Sequence, residues 1–150
     1  KFMMNGALTV GTYDGANVEI HRAVGDENMF LFGMRTEDVA AKRPTYVSKK
    51  FYENDPEIRE ALDMIKQNVF SLLEPGLFDP IVRNLLDYYM LLADMADYRR
   101  AQADVDRTYR NAKKWNQMSL VNIARSGFFS SDRAVMEYAK NIWHVEPVKF

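Results

Sequence analysis

Lys1 opens the stretch KFMMNGALTVGTYDGANVEI, which holds three glycines and only two acidic side chains. An amine that enters an apolar, glycine-bounded segment is disfavoured as ammonium if burial removes its water, and the neutral form attacks a carbonyl to give a Schiff base. Taken alone, a lysine at a chain end is more simply read as solvated. Only two histidines exist, His21 and His144, far apart and in no metal-ligand spacing, so no metal site is expected. His21 and Asp14 could be joined with a serine on paper, but no GxSxG elbow supports a triad, and the histidine reads as a surface imidazole. Asp26 and Glu27 fall where a solvated loop is expected, and no residue is assigned a catalytic role. Neither GxGxxG nor GxxxxGK followed by Ser or Thr can be read in GALTVGTYDGAN, which excludes a phosphate loop there. Between Arg99 and Lys114, six basic residues face two acids, with Tyr98, Tyr109 and Trp115 nearby. Those aromatics lie on apolar helical stripes, leaving the charges outward, so a solvated helix face is favoured over a nucleic-acid or sugar surface.

These groups need a frame, and composition bounds it. The chain has 150 residues, 47% of them hydrophobic and 13% aromatic, enough to bury one core. A net charge of -1 creates no field that recruits nucleic acid or an anionic membrane. Cysteine is absent, which excludes disulfides and thiolate chemistry. The longest nearly uncharged apolar run, YYMLLA from Tyr88 to Ala93, is far short of the roughly 20 residues that span a bilayer. No leader pattern opens the chain. A soluble, cytoplasmic protein with no membrane partner is expected, and the missing initiator methionine suggests a fragment or processed product.

Glycine divides the chain into two textures. Gly6, Gly11, Gly15, Gly25 and Gly33 are five of its seven glycines, so the early part turns often and the later part runs in helices. ALTVGT reads as a strand stopped by Gly6 and Gly11. Asp14-Gly15 fits a hairpin turn with Ala16, Val18 and Ile20 alternating, yet Ala16, Ile20, Ala23 and Val24 also fit one helical face that Gly25 would end. The helix is preferred, with Asp14 as its N-cap. Met29 to Phe32 then reads as a covered parallel strand, completing a βαβ unit. Two parallel strands do not make a stable sheet alone, so further strands must come from elsewhere. Thr36, with Glu37 and Asp38 behind it, starts a helix that Pro44 closes. Asp55-Pro56-Glu57 and Asp79-Pro80 each place a capping acid before a proline at the first helical position. Ile58, Leu62, Ile65 and Val69 form the stripe behind the first, and Ile81, Val82, Leu85, Leu86 and Tyr89 that behind the second. Tyr98, Ala101, Val105 and Tyr109 mark a third helix. Trp115, Met118, Ile123 and Ala124 mark a fourth ending near Gly127, and Val135, Ala139, Ile142 and Trp143 a fifth starting near Ser131. All five stripes are expected to pack.

KFMMNGALTVGTYDGANVEI followed by GDENMFLFGM resembles the C-terminal part of the α-glucan phosphorylases, the glycogen, starch and maltodextrin enzymes. NIARSGFFSSDRAVMEYAKNIWHVEP is similar to the closing helices of that family. Lys1, Met4 and Asn5 match the second half of its pyridoxal-phosphate signature; the glycine-containing first half would lie upstream. Tyr13, His21 and Arg22 depart from the family pattern. The resemblance implies that Lys1 holds pyridoxal 5′-phosphate as an imine. It further implies that the cofactor's phosphate relays a proton beside inorganic phosphate, releasing glucose 1-phosphate from an α-1,4-glucan with retained configuration. The implied fold class is α/β: residues 1–150 as the C-terminal segment of the second, cofactor-binding Rossmann-like domain of a glycosyltransferase B enzyme, a short βαβ unit followed by several helices. Ligand would sit at the carboxyl ends of the strands, and the parent is expected to be a homodimer. The abrupt start is then expected because Lys1 falls within a catalytic motif, and the isolated piece should be inactive. A non-enzymatic helical module, binding a partner through its aromatic and methionine-rich surface, is the alternative.

Overall fold

The computed structural model describes residues 1–86, 89–146 and 148. Tyr88, in the longest apolar run, and Pro147, at the end of the closing motif, lie outside them. Two short strands pair in parallel, β1 (Val10–Gly11) and β2 (Phe30–Leu31). The Phe30 N–H donates to the Thr9 carbonyl at 2.9 Å and the Phe32 N–H to that of Gly11 at 3.1 Å. Helix α1 (Gly15–Val24) links them, so the βαβ reading holds and the hairpin does not. Gly25 stops α1 with φ 83° while its N–H reaches the His21 carbonyl at 2.8 Å. The Asp14 carboxylate accepts from Thr12 Oγ1 at 3.1 Å.

The chain divides into two compact units. The first comprises Lys1–Val10, Gly15–Phe30 and Val105–Phe150. Its principal helix is α7 (Ala112–Arg125), capped by Asn111, whose side chain accepts the Lys114 N–H at 3.1 Å. Met3, Val24, Met29 and Met118 are buried, with Asn28 and Asn122 among them. Asn122 Nδ2 donates to the Asn28 carbonyl at 2.8 Å and to that of Met118 at 3.0 Å, which satisfies a buried donor twice. Trp115 stacks on Phe30 at a centroid separation of 6.4 Å and meets Tyr109 edge-on at 5.0 Å. Beyond α7, Ser130 caps α8 (Ser131–Tyr138), and a π turn (Ala139–Trp143) ends at His144 with φ 53°. The stripes of this unit pack only in part: Tyr109 of the third and Ile123 and Ala124 of the fourth are exposed, and so are Val135, Ile142 and Trp143 of the fifth, where no described element of this unit covers the face.

The second unit comprises Gly11–Asp14 and Leu31–Asp104. It contains α2 (Thr36–Lys42), α3 (Ser48–Asn54), α4 (Pro56–Lys66), α5 (Asp79–Leu86) and most of α6 (Leu91–Tyr109). Ile58 and Leu62 of α4, Val82 of α5 and Leu92 of α6 form its core, with Phe51, Tyr52, Ile65, Leu85, Leu86 and Met95 packed around them. Several expectations shift. Val69 and Tyr89 fall beyond their helices and are exposed, and the stripe residues Ile81 and Tyr98 are exposed within theirs. Helix α5 starts one residue earlier than the acid-before-proline pattern implies, because the Phe78 carbonyl accepts from both Ile81 and Val82. Pro80 thus takes the second helical position, where its missing N–H is still one the helix cannot use. Helix α3, which no stripe marked, supplies two of the rings against the core.

Asp55 behaves as the sequence implies. Its Oδ1 accepts the N–H groups of Glu57 at 3.1 Å and Ile58 at 3.2 Å, and both its oxygens meet the Arg99 guanidinium. Arg99 holds the Asp55 carboxyl below the usual carboxylate range, the two backbone donors adding to the effect. A carboxylate depressed in the folded state contributes stability that is complete above its unfolded value, and that is lost as pH falls through the folded one. Asp55→Ala is expected to lower unfolding stability by about 1 kcal/mol near pH 7, mostly as a lost cap, since the part-exposed ion pair is screened. Denaturant melts should show the gap between variant and parent narrowing below pH 4; a gap that is constant with pH would refute the assignment.

Candidate active site

The Lys1 segment folds as a 3-10 turn (Met3–Asn5) closed by Gly6. The N–H groups of Asn5 and Ala7 both reach the Phe2 carbonyl, at 3.0 and 3.1 Å, and Gly6 returns its own to Met3 at 3.1 Å. Gly6 has φ 77°, a conformation that costs a side-chain-bearing residue more than glycine. Asn5 Nδ2 donates to the Lys1 carbonyl at 2.8 Å, so this signature residue braces the backbone of the lysine.

This turn has two sides. Met3 and Gly6, three residues apart, are buried, while Lys1, Phe2, Met4 and Asn5 are exposed. Lys1 is thus exposed, as the simpler reading of a chain-end lysine has it, and the burial that would disfavour its ammonium form is not found, since a 3-10 turn that packs Met3 and Gly6 inward points its neighbours out. On the inner side, Ser119 Oγ of α7 donates to the Gly6 carbonyl at 2.9 Å. Lys1 precedes β1, so neither observed strand presents it at a carboxyl end. As a donor set, an exposed primary amine on a braced turn fits covalent capture of an aldehyde.

The other candidates stay apart from Lys1. His21 Nε2 pairs with Asp26 Oδ1 at 2.5 Å, not with Asp14, and His144 Nδ1 lies 3.0 Å from the Lys140 carbonyl oxygen. Among the described residues no group of three or more His, Asp or Glu side chains is placed to hold a metal ion. Three residues of the basic run are seen in ion pairs: Arg99 with Asp55 and Glu57, Arg100 with Asp97 and Asp104, Arg110 with Asp106. Such pairing leaves these guanidiniums already engaged. Tyr13 lies under the Arg35 guanidinium, 4.2 Å from ring centroid to Cζ.

Sequence reasoning missed two sets of anchoring side chains. Ser119 and Asn122 were lost within the stripe of α7, although polar residues interleaved with Trp115, Met118 and Ile123 were a usable signal. Asp94 and Asp97 of α6 form the second set. Asp97 accepts the Gly33 N–H and Asp94 that of Met34, each at 2.8 Å, fixing the turn that follows β2. Arg100, assisted by the Gly33 N–H, holds the Asp97 carboxyl below its ordinary value against partial burial. Burial, and then the nearby Asp94 charge, pushes the Tyr46 hydroxyl up.

Comparison with known proteins gives this geometry a setting. The family model described as carbohydrate phosphorylase matches residues 1–145. The chain is 51% identical over 150 residues to the brain form of glycogen phosphorylase from Mus musculus, covering 98% of this chain and 18% of the relative. It is 50% identical, with the same coverage, to the liver forms from Homo sapiens and Bos taurus. It thus spans less than a fifth of the length of these relatives. Among the described residues no helix is long and apolar enough to cross a membrane. With a match over residues 1–145, which takes in the Lys1 turn and the helix seating it, the chain belongs to the carbohydrate phosphorylase family.

Proposed function

We propose that these residues work within a glycogen phosphorylase-type glycosyltransferase, as the C-terminal segment of its second, Rossmann-like domain in a glycosyltransferase B arrangement. The complete enzyme uses inorganic phosphate to release glucose 1-phosphate from an α-1,4-glucan with retention, in the cytoplasm and as a homodimer. The observation that carries this is a family match that includes Lys1, Met4 and Asn5 on one braced turn. The parallel β1–β2 pair supports the domain reading, because two such strands need further strands and covered faces to be stable. The exposed Val135, Ile142 and Trp143 are explained the same way, as a face that other parts of the enzyme cover.

Lys1 is the residue that holds pyridoxal 5′-phosphate, through Nζ. When bound, that group supplies a phosphate that moves a proton beside the substrate phosphate. This chain contributes attachment and orientation. The exposed amine is free to reach an aldehyde, Asn5 fixes the Lys1 backbone, and buried Met3 and Gly6 keep the turn from swinging. Groups that hold the phosphates and the glucan belong to other parts of the enzyme.

Borohydride reduction of the complete enzyme, followed by peptide mapping, tests the assignment. A pyridoxyl adduct on the peptide containing Lys1 is expected, and an adduct on any other lysine refutes it.

A further inference from the structure

We propose that Ser119 is the positioning residue that sets the Lys1 turn for its aldehyde. The inference rests on the reading of Lys1 given above and deepens it. Residues 1–6 leave their polar and reactive side outward and bury Met3 and Gly6. Met3 makes apolar contact, which is non-directional and lets a turn slide or rotate. The Gly6 carbonyl is different. It accepts the Ser119 hydroxyl at 2.9 Å across 113 positions of sequence, a directional bond that fixes where the turn ends on α7. Fit on that side is close: a Cβ added to Gly6 would run into Ser119 Oγ and lie 3.3 Å from Ile123 Cδ1. Backbone and helix are thus nearly in contact, and the hydroxyl is the polar group that meets the carbonyl there.

The link from Ser119 to Lys1 is short. Gly6 bonds to Met3, Asn5 and Ala7 bond to Phe2, and Asn5 bonds through its side chain to Lys1. Rotation of the Gly6 peptide therefore carries the lysine backbone with it. One turn further along α7, Asn122 does a different job, tying the buried Asn28 carbonyl ahead of β2. The two anchors separate by role: Asn122 is buried outright and supports the fold, whereas Ser119 is part-buried and holds the turn.

Titration of the full-length apo-enzyme with pyridoxal 5′-phosphate, followed by absorbance of the covalent adduct, tests this alongside thermal unfolding of the same apo-protein. Ser119→Ala removes the hydroxyl, Ser119→Val removes it while adding bulk, and Ser119→Thr keeps it with the same added bulk. Ala and Val are expected to raise the dissociation constant about 3- to 10-fold, the range for one lost hydrogen bond, and Thr to stay within about twofold of the parent. Apo-protein melting should be nearly equal in Val and Thr, so that affinity and not folding separates them. If Val and Thr bind alike, or all three bind like the parent, Ser119 does not position Lys1. Borohydride labelling of the unaltered enzyme separates the two readings. Label on another lysine overturns both, whereas label on Lys1 with unchanged affinity in the variants overturns only this one.

Discussion

Leu62→Ala is expected to cost about 2–5 kcal/mol of unfolding stability, a large share of the roughly 5–15 kcal/mol that holds a domain folded. Leu62 is 3% exposed at the centre of the second unit, between Ile58 on its own helix, Val82 on α5 and Leu92 on α6. Aromatic rings from α3 and the aliphatic side chains of Ile65, Leu85 and Leu86 close the shell. Truncation at such a position removes dispersion contacts on every side and leaves a hole that several rigid neighbours cannot all fill. Leu62→Met nearly conserves volume and should cost under about 1.5 kcal/mol. Urea denaturation of parent and variants measures both. Equal costs for Ala and Met, or an Ala cost within about 0.5 kcal/mol of zero, would show that Leu62 is not the centre of this core.

What the sequence disclosed about the fold was whatever local chemistry determines. Asp55 before Pro56 caps α4 because a carboxylate and a fixed φ act within one turn, and Gly25 ends α1 because its positive φ, open to glycine, leaves the helical range. The acid of Asp79-Pro80 reads identically, yet α5 begins one residue sooner, since the preceding carbonyl of Phe78 is free to accept. Periodicity also has a limit that the last stripe shows. Val135, Ile142 and Trp143 do mark an apolar face, but spacing says nothing about what lies against it, and no described element of its own unit does. Helix α3 escaped for the opposite reason. Its Phe51 and Tyr52 are adjacent in sequence, so no stripe forms, although both rings reach the same core.

The candidate site was legible in one residue and opaque in its support. Lys1 could be singled out by type and by resemblance, whereas the bonds that steady its surroundings join Ser119 to Gly6 and Asn122 to Asn28, across 113 and 94 positions. Such pairings depend on where a helix lands, which no local pattern encodes. Burial within the turn is set the same way: MMN looks apolar, but a 3-10 turn divides it, sending Met3 in and Met4 out. His21 likewise found Asp26, five residues on past the end of α1, and not the Asp14 that a triad would have used.

Lys1→Arg and Lys1→Ala, made in the complete enzyme, are expected to lose the borohydride label and to lower phosphorolysis by on the order of a hundredfold or more, as when a reacting group is no longer held in place. Arginine keeps the positive charge and much of the length, but its guanidinium stays protonated and does not attack a carbonyl, so the pair of variants separates charge from nucleophilicity. Folding should be untouched in either. The Lys1 side chain is exposed, and the one bond Asn5 makes to the residue is to the backbone carbonyl, which every substitution preserves. Thermal unfolding of the apo-forms should accordingly match the parent within the small changes typical of surface positions, about 0.5 kcal/mol. Three measurements on the same preparations decide the matter: label by peptide mapping, glucose 1-phosphate release, and melting. An arginine variant that retains full phosphorolysis would show that the amine at position 1 is not the covalent anchor. Loss of activity in both variants with label still recovered on another lysine would place the cofactor elsewhere, leaving Lys1 a surface charge near the site.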